Sequence, residues 1–160
     1  MRMRAAALGL FLVGAMLVPA PAAEASPCYE RSQTDLKAVE VTNRARRAEG
    51  LSPLRIDPQL SRVAEVHSYW MERKNQLFHS NRLAWKVTNW VRLGENVGFG
   101  NSIASLQSAF MNSPAHRQNI LDPSFTYVGI SVRPEGDRLW ITVLFESRAD
   151  PGTRVAMRPC

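Results

Sequence analysis

The feature that most constrains this chain's fold is a change in the spacing of its apolar residues towards the C-terminal end. Earlier segments carry apolar side chains at helical spacing, whereas residues 127–133 and 138–146 are rich in β-branched and aromatic residues. These two segments flank Pro134-Glu135-Gly136-Asp137, which predicts an antiparallel hairpin. Helices followed by a terminal hairpin predict an α+β fold, with helices packed on an antiparallel sheet.

Two helices precede this region with clear boundary signals. Apolar spacing predicts the first over residues 34–49, with Gly50 as its stop. Asp57 and Pro58 supply an N-cap and a first-turn proline for the second, whose apolar stripe ends near Lys74.

A third helix is predicted over residues 103–111, and a further helical turn or two after Pro114. Residues 83–93 fit neither the helical nor the strand period. The tryptophans are predicted to be mainly core residues, with Trp85 or Trp90 as a candidate cleft wall; the four are Trp70, Trp85, Trp90 and Trp140.

The N-terminal 25 residues are predicted to be a secretory signal peptide. A basic start, an apolar run over residues 5–18 and small residues lead to a cleavage site near Ala25–Ser26. The run is shorter than the roughly 20 apolar residues that a membrane span needs. The mature chain, residues 26–160, is then expected to be a single extracellular domain with no transmembrane segment.

Cys28 and Cys160 are the chain's only cysteines and lie at the two ends of the mature protein. In an oxidising compartment they predict a disulfide, which is worth about 5 kcal/mol for so long a loop. The alternative is two unpaired or intermolecular thiols. Two cysteines are too few for a structural metal site.

The net charge of +6 favours anionic partners such as cell-wall polymers, lipid headgroups or nucleic acid. The densest basic cluster is Arg44, Arg46 and Arg47. Because no aromatic residue lies among them and no nucleic-acid motif is present, the cluster is interpreted as a solvated helix face and no nucleic-acid partner is expected. Without repeats or an internal linker, one monomeric domain is predicted.

Three ordered segments carry a resemblance to a known family. They are Asn43-Arg44-Ala45-Arg46 followed by Gly50-Leu51-Ser52-Pro53-Leu54; His79-Ser80 followed by Gly94-Glu95-Asn96-Val97-Gly98; and Ser113-Pro114-Ala115-His116-Arg117-Gln118-Asn119-Ile120-Leu121 running on to residues 127–130. Together they resemble the bacterial branch of the CAP superfamily (cysteine-rich secretory proteins, antigen 5 and pathogenesis-related proteins).

This resemblance implies a three-layer α–β–α sandwich, with the C-terminal hairpin in the central sheet and a cleft open to solvent. It also implies that His79, Glu95 and His116 converge there, and that the histidines can hold a divalent metal, with zinc the expected ion. Glu95 is either a third ligand or orients a histidine by accepting its other N–H. Eukaryotic relatives have a second glutamate where this chain has Ser113, which removes one carboxylate from the site.

Three functions remain open from the sequence. The leading hypothesis is a secreted binding module whose cleft holds a lipid or wall component, with or without a metal. The second is a metal- or His/Glu-dependent, protease-like hydrolase, with His79 or His116 as base, Glu95 as orienter, and a metal-bound water, Ser80 or Ser113 as nucleophile. The third is a non-catalytic scaffold that binds an anionic partner. No nucleophile with its own base and orienter is evident, which favours a protein that is not an enzyme.

Four polar residues are given structural roles. His67 lies in the apolar stripe of the second helix and is interpreted as a hydrogen-bonded core imidazole. Asn96 is interpreted as a turn or sheet-edge residue. Asn43 and Arg46 are predicted to tie the first helix to the hairpin.

Overall fold

A computed structural model describes residues 31–88 and 90–147, together with the backbone of residues 28–29 and 158–159. The predicted signal peptide and Cys160 lie outside these residues, so the signal and the disulfide stay predictions. The elements are β1 Cys28–Tyr29, α1 Gln33–Ala48, β2 Arg55–Ile56, α2 Pro58–Lys74, α3 Leu83–Lys86, β3 Arg92–Gly100, α4 Ile103–Asn112, α5 Pro114–Leu121, β4 Tyr127–Glu135, β5 Arg138–Ser147 and β6 Arg158–Pro159.

The predicted helices are confirmed, and local capping explains their boundaries. Ser32 and Asp35 form a reciprocal capping box at the start of α1. Asp57 caps α2 by accepting a hydrogen bond from the backbone N–H of Leu60, at 3.0 Å. Asn75, with φ of 45°, ends the helix in the left-handed conformation.

The predicted hairpin forms the centre of a four-stranded sheet with the order β2-β4-β5-β3. Strands β4 and β5 are antiparallel, β3 pairs antiparallel with β5 at one edge, and β2 pairs parallel with β4 at the other. Residues 83–93, which fit neither period, divide into the one-turn helix α3 and the start of β3. A second, two-stranded sheet pairs β1 with β6.

Helices cover both faces of the larger sheet, as the sandwich architecture requires. Alternate residues of the hairpin, including Val128 and Val143, pack with α1, α4 and α5 in one core. The intervening residues, including Tyr127 and Leu144, pack against Leu60 and Ala64 of α2 on the other face. Among the residues described, no helix is long and apolar enough to cross a lipid bilayer.

Three sequence interpretations are corrected by burial and contacts. Arg46 is not part of a solvated face: it is buried and donates hydrogen bonds to the carbonyls of Ser52, Ile120, Asp122 and Phe125. These contacts tie α1 to the loop before β2, to the C-terminal end of α5 and to the loop before β4, rather than to the hairpin.

Asn43 likewise bonds the backbone of Leu54, and Asp35 is the residue that reaches the hairpin, by accepting from the N–H of Val132 at 2.7 Å. The tryptophans are not mainly core residues either. Only Trp140 is buried, whereas Trp70 is exposed on α2, Trp85 is exposed on α3 and Trp90 is exposed after α3.

Candidate functional site

The candidate site is built around the edge strand β3. Successive residues of a strand point to opposite faces, so Glu95 and Asn96 direct their side chains to different layers. Glu95 lies on the face covered by α2, beside residues 79–80. Asn96 lies on the face covered by α4 and α5, where its amide donates to the carbonyl of His116, at 3.0 Å. The site therefore straddles the exposed edge of the sheet.

Glu95 and His79 form the central contact of the site. Their Oε2 and Nδ1 atoms are 2.7 Å apart, and the same oxygen accepts from the backbone N–H of Ser80 at 2.9 Å. The Glu95 side chain is only 8% exposed, whereas that of His79 is 64% exposed. A buried carboxylate at this distance favours the tautomer with the proton on Nδ1, which leaves the Nε2 lone pair free.

His67 is the buried, hydrogen-bonded imidazole that its place in the stripe of α2 predicts. Its Nε2–H donates to the carbonyl of Phe78 at 2.8 Å, and burial lowers its pKa. The same nitrogen lies 3.8 Å from Oε1 of Glu95, too far for a hydrogen bond. Glu95 is thus flanked by His79 on one carboxylate oxygen and by His67 near the other.

Two buried polar atoms of this region have no hydrogen-bond partner among the described residues: Oε1 of Glu95 and Oγ of Ser80. Burial of its Oγ argues against Ser80 as a nucleophile, because a serine that attacks a substrate must expose this atom in the cleft. Ser113 lies at the junction of α4 and α5, and its side chain makes no capping hydrogen bond. Neither serine is paired with a base.

His116 enters the site from the first turn of α5. Its ring lies 5.0 Å from that of Phe110, and burial, with a smaller contribution from the nearby His79, lowers its pKa. The amide of Asn119 donates to Oδ1 of Asn96 at 2.9 Å and to the carbonyl of Glu95 at 3.2 Å. This amide network fixes α5 against β3 and so positions His116.

The chemistry of the donor set offers two imidazoles, His79 and His116, rather than three ligands. Within the described ranges, no group of three or more histidine, cysteine, aspartate or glutamate side chains is arranged to hold a metal ion. Glu95 is already engaged by His79 Nδ1, which suits a residue that orients a ligand rather than binding metal itself. His116 has a lowered pKa and is neutral near pH 7, as a metal ligand must be.

Sequence reasoning missed how the amides support the site. Asn96 is indeed a sheet-edge residue, but it is fully buried and holds the backbone of α5. Asn119, which completes this network, lies in a segment that carries the family resemblance, but its sequence position did not reveal this role. If β3 had been predicted as a strand, the opposite orientations of Glu95 and Asn96 would have followed, because successive side chains of a strand point to opposite faces.

Comparisons with known proteins bear on the family and the fold of this chain. Residues 39–145 match the model of the cysteine-rich secretory protein family, CAP. An uncharacterized protein of Bacillus subtilis (strain 168), YkwD, is 34% identical over 118 residues, which are 68% of this chain and 46% of that protein.

Two solved structures are also similar. An extracellular SCP-domain protein from Bacillus anthracis str. Ames shares 27% identity with a TM-score of 0.63, covering 72% of this chain and 40% of that one. A cysteine-rich secretory protein of Staphylococcus aureus shares 24% identity and the fold, with a TM-score of 0.63 over 76% of this chain and 41% of its own. The chain spans less than half the length of each of these three relatives.

Proposed function

Because the chain belongs to the CAP family of cysteine-rich secretory proteins, we propose that it is a secreted binding module whose cleft holds a ligand beside a divalent metal at His79 and His116. The observation that carries the proposal is the contact between buried Glu95 and exposed His79. A carboxylate that fixes one ring nitrogen and leaves the other facing solvent is the arrangement found behind histidine ligands of zinc.

The metal would be held by the free ring nitrogens of the two histidines, with Glu95 orienting His79. Zinc suits two neutral imidazoles, and its remaining positions would be open to a ligand or water. A bound ion of this kind supplies a Lewis acid that polarises an oxygen of the ligand.

The ligand that we propose is a lipid or a cell-wall component. The net charge of +6 favours anionic molecules of both kinds. The extracellular location of the similar SCP-domain protein from Bacillus anthracis supports the proposal that this domain would meet such molecules. Net charge affects only how such a ligand approaches the protein. His79 and His116, at the edge of the sheet, would determine where the ligand binds.

One observation favours hydrolysis as a second candidate: the His79–Glu95 pair also has the form of a base with its orienter. With Oγ of Ser80 buried, the nucleophile would be water rather than a serine. On this account, the change Glu95→Gln abolishes turnover of ester or peptide substrates and leaves the fold intact. Turnover that survives the change would contradict it.

Calorimetric titration of the metal-stripped mature protein with zinc tests the leading proposal. We expect one saturable site in the wild type and none in the variant with His79→Ala and His116→Ala. Glu95→Gln should weaken binding by about 10- to 100-fold because it removes the orienting carboxylate. Ser113→Ala is the matched control and should bind as the wild type does. Identical isotherms for wild type and double variant would contradict the metal site and leave the scaffold hypothesis.

A further inference from the structure

Exposed apolar side chains are concentrated in one stretch of the chain. Of the nine large apolar residues that are exposed in the described ranges, seven fall between residues 66 and 91: Val66, Tyr69, Trp70, Leu77, Trp85, Trp90 and Val91. Trp85 is the extreme case, at 87% exposure on the one-turn helix α3. Where such side chains also share one surface, they indicate an interaction site rather than core packing.

A groove brings two of these residues, Val66 and Trp70, to one surface of the molecule. It has a volume of about 250 Å³ and opens between α2 and residues 78–86. Val66, Trp70 and Phe78 supply its apolar lining, and Lys74 and Lys86 supply its charge. Because α2 covers the sheet face opposite α1, this groove lies away from the α1 surface.

Trp85 is the sequence neighbour of Lys86, which lines the groove. It precedes Lys86 within α3, and Nε1 of Trp90 donates to the carbonyl of Ala84 at 3.2 Å, which holds Trp90 against the same short helix. We define the aromatic–basic face as Val66, Trp70, Lys74, Trp85 and Lys86.

The two ammonium groups that line the groove give this face a positive charge. Lys74 Nζ lies 5.9 Å from the centre of the Trp70 ring and 5.3 Å from that of Phe78. The residues that line the groove include two lysines and no carboxylate, and neither lysine is in an ion pair with a residue that the structure describes. The lysines of the face therefore complement a negatively charged surface, and its apolar side chains complement an apolar layer beneath that surface.

We propose that the aromatic–basic face docks this protein on the anionic surface of a lipid bilayer. Indole rings prefer the boundary between headgroups and acyl chains, and lysines extend their ammonium groups to the headgroup phosphates. A soluble polyanion would satisfy the lysines but would give Trp85 no apolar phase to enter. The face includes neither His79 nor His116, although His67, which also lines the groove, lies 3.8 Å from Oε1 of Glu95. A variant without the two metal-binding histidines therefore tests whether membrane docking and metal binding are independent.

Co-sedimentation with vesicles tests the proposal. Vesicles of phosphatidylcholine and phosphatidylglycerol at physiological salt should bind the mature protein, and vesicles of phosphatidylcholine alone should bind it far more weakly. Lys74→Gln and Lys86→Gln should each weaken binding about fivefold, since a lysine near an anionic surface contributes about 1 kcal/mol. Trp85→Ser should weaken it by about tenfold or more because the buried indole area is lost.

Two control variants separate this face from general electrostatics and from the cleft. The double change Lys37→Gln with Arg47→Gln removes two exposed charges from α1 on the other side of the sheet, and it should bind vesicles as the wild type does. The variant with His79→Ala and His116→Ala should also bind them normally, even where its zinc site is lost.

Three outcomes would overturn the proposal. The first is no binding to anionic vesicles, and the second is equal weakening by the α1 control. The third is binding that needs the lysines but not Trp85, which would assign the face to a soluble polyanion. The high exposure of Trp85 makes unfolding by the serine change unexpected, and circular dichroism of each variant checks it.

Discussion

Replacing Gly129 by alanine should be among the most damaging single-methyl changes in this protein. Gly129 lies in β4, where α2 crosses the sheet. A Cβ at this position would lie 2.2 Å from the carbonyl carbon of Leu60, 2.3 Å from the nitrogen of Ser61 and 2.4 Å from Cβ of Leu60. Two of these three atoms are helix backbone, so no side-chain rotation relieves the clash.

The magnitude follows from the displacement that the clash requires. Restoring ordinary contact would move the first turns of α2 about 1 Å away from the sheet and would open the packing beneath them. Overpacking usually costs about 1–3 kcal/mol, and more where the backbone itself must shift. We expect Gly129→Ala to lower the free energy of unfolding by about 3 kcal/mol or more, a large part of the stability of a single domain.

Gly98→Ala is the matched control. Its Cβ would approach side-chain atoms of Phe110 at 3.1 and 3.2 Å, and a small ring movement can relieve these contacts. Both changes reduce the entropy of the unfolded chain alike, so the difference between them reports the native clash. Urea denaturation followed by circular dichroism measures both, and we expect Gly98→Ala to cost less than about 1 kcal/mol. Equal costs for the two variants would refute the argument.

Four further measurements test other parts of the structure. Arg46→Ala should cost about 3 kcal/mol or more in urea denaturation because it leaves four carbonyls without their donor, and a buried polar group left unsatisfied costs about 1–3 kcal/mol. A cost below about 1 kcal/mol would contradict this. Asn96→Ala should lower stability by about 1–3 kcal/mol and weaken zinc binding in calorimetry, and unchanged zinc affinity would show that it does not position the site. Because burial lowers the pKa of His67, this residue takes up a proton at higher pH in the unfolded chain than in the folded protein. The free energy of unfolding should therefore decrease as the pH falls below about 6.5, by up to about 1.4 kcal/mol per pH unit. His67→Gln should reduce this dependence of stability on pH. Mass spectrometry before and after reduction should show two added hydrogens if Cys28 and Cys160 are paired, and an unchanged mass would refute the disulfide.

The helices and the hairpin could be predicted because their signals are local. Asp57 and Pro58 define the start of α2 by their own chemistry, and Gly136 with Asp137 defines the hairpin turn. Such signals act within a few residues, so they do not depend on long-range packing.

The convergence of the site could not be derived from spacing, because long-range packing produces it. His79 and Glu95 meet only since β3 pairs with β5 at the sheet edge and residues 78–80 pass beside it. The family resemblance supplied this expectation, and the structure adds which nitrogen of His79 is engaged. The buried state of Arg46 was missed for the same reason: its partners Ile120, Asp122 and Phe125 lie more than 70 residues away.

The exposure of the tryptophans was mispredicted because the prediction used the usual burial of the residue type and not the place of each tryptophan in the fold. An indole is usually buried, yet Trp70 lies on the solvent side of α2 and Trp85 on a helix of only four residues, too short to bury it. Residue types that are usually buried are expected to be exposed at functional surfaces.

The most direct test of the central claim is a long-range proton–nitrogen NMR spectrum of the histidine rings, recorded without and with zinc. Glu95 should hold His79 with its proton on Nδ1 in the metal-free protein. Zinc should then shift the resonances of His79 Nε2 and His116 and leave those of buried His67 unchanged. A proton on Nε2 of His79, or zinc-dependent shifts confined to His67, would contradict the account.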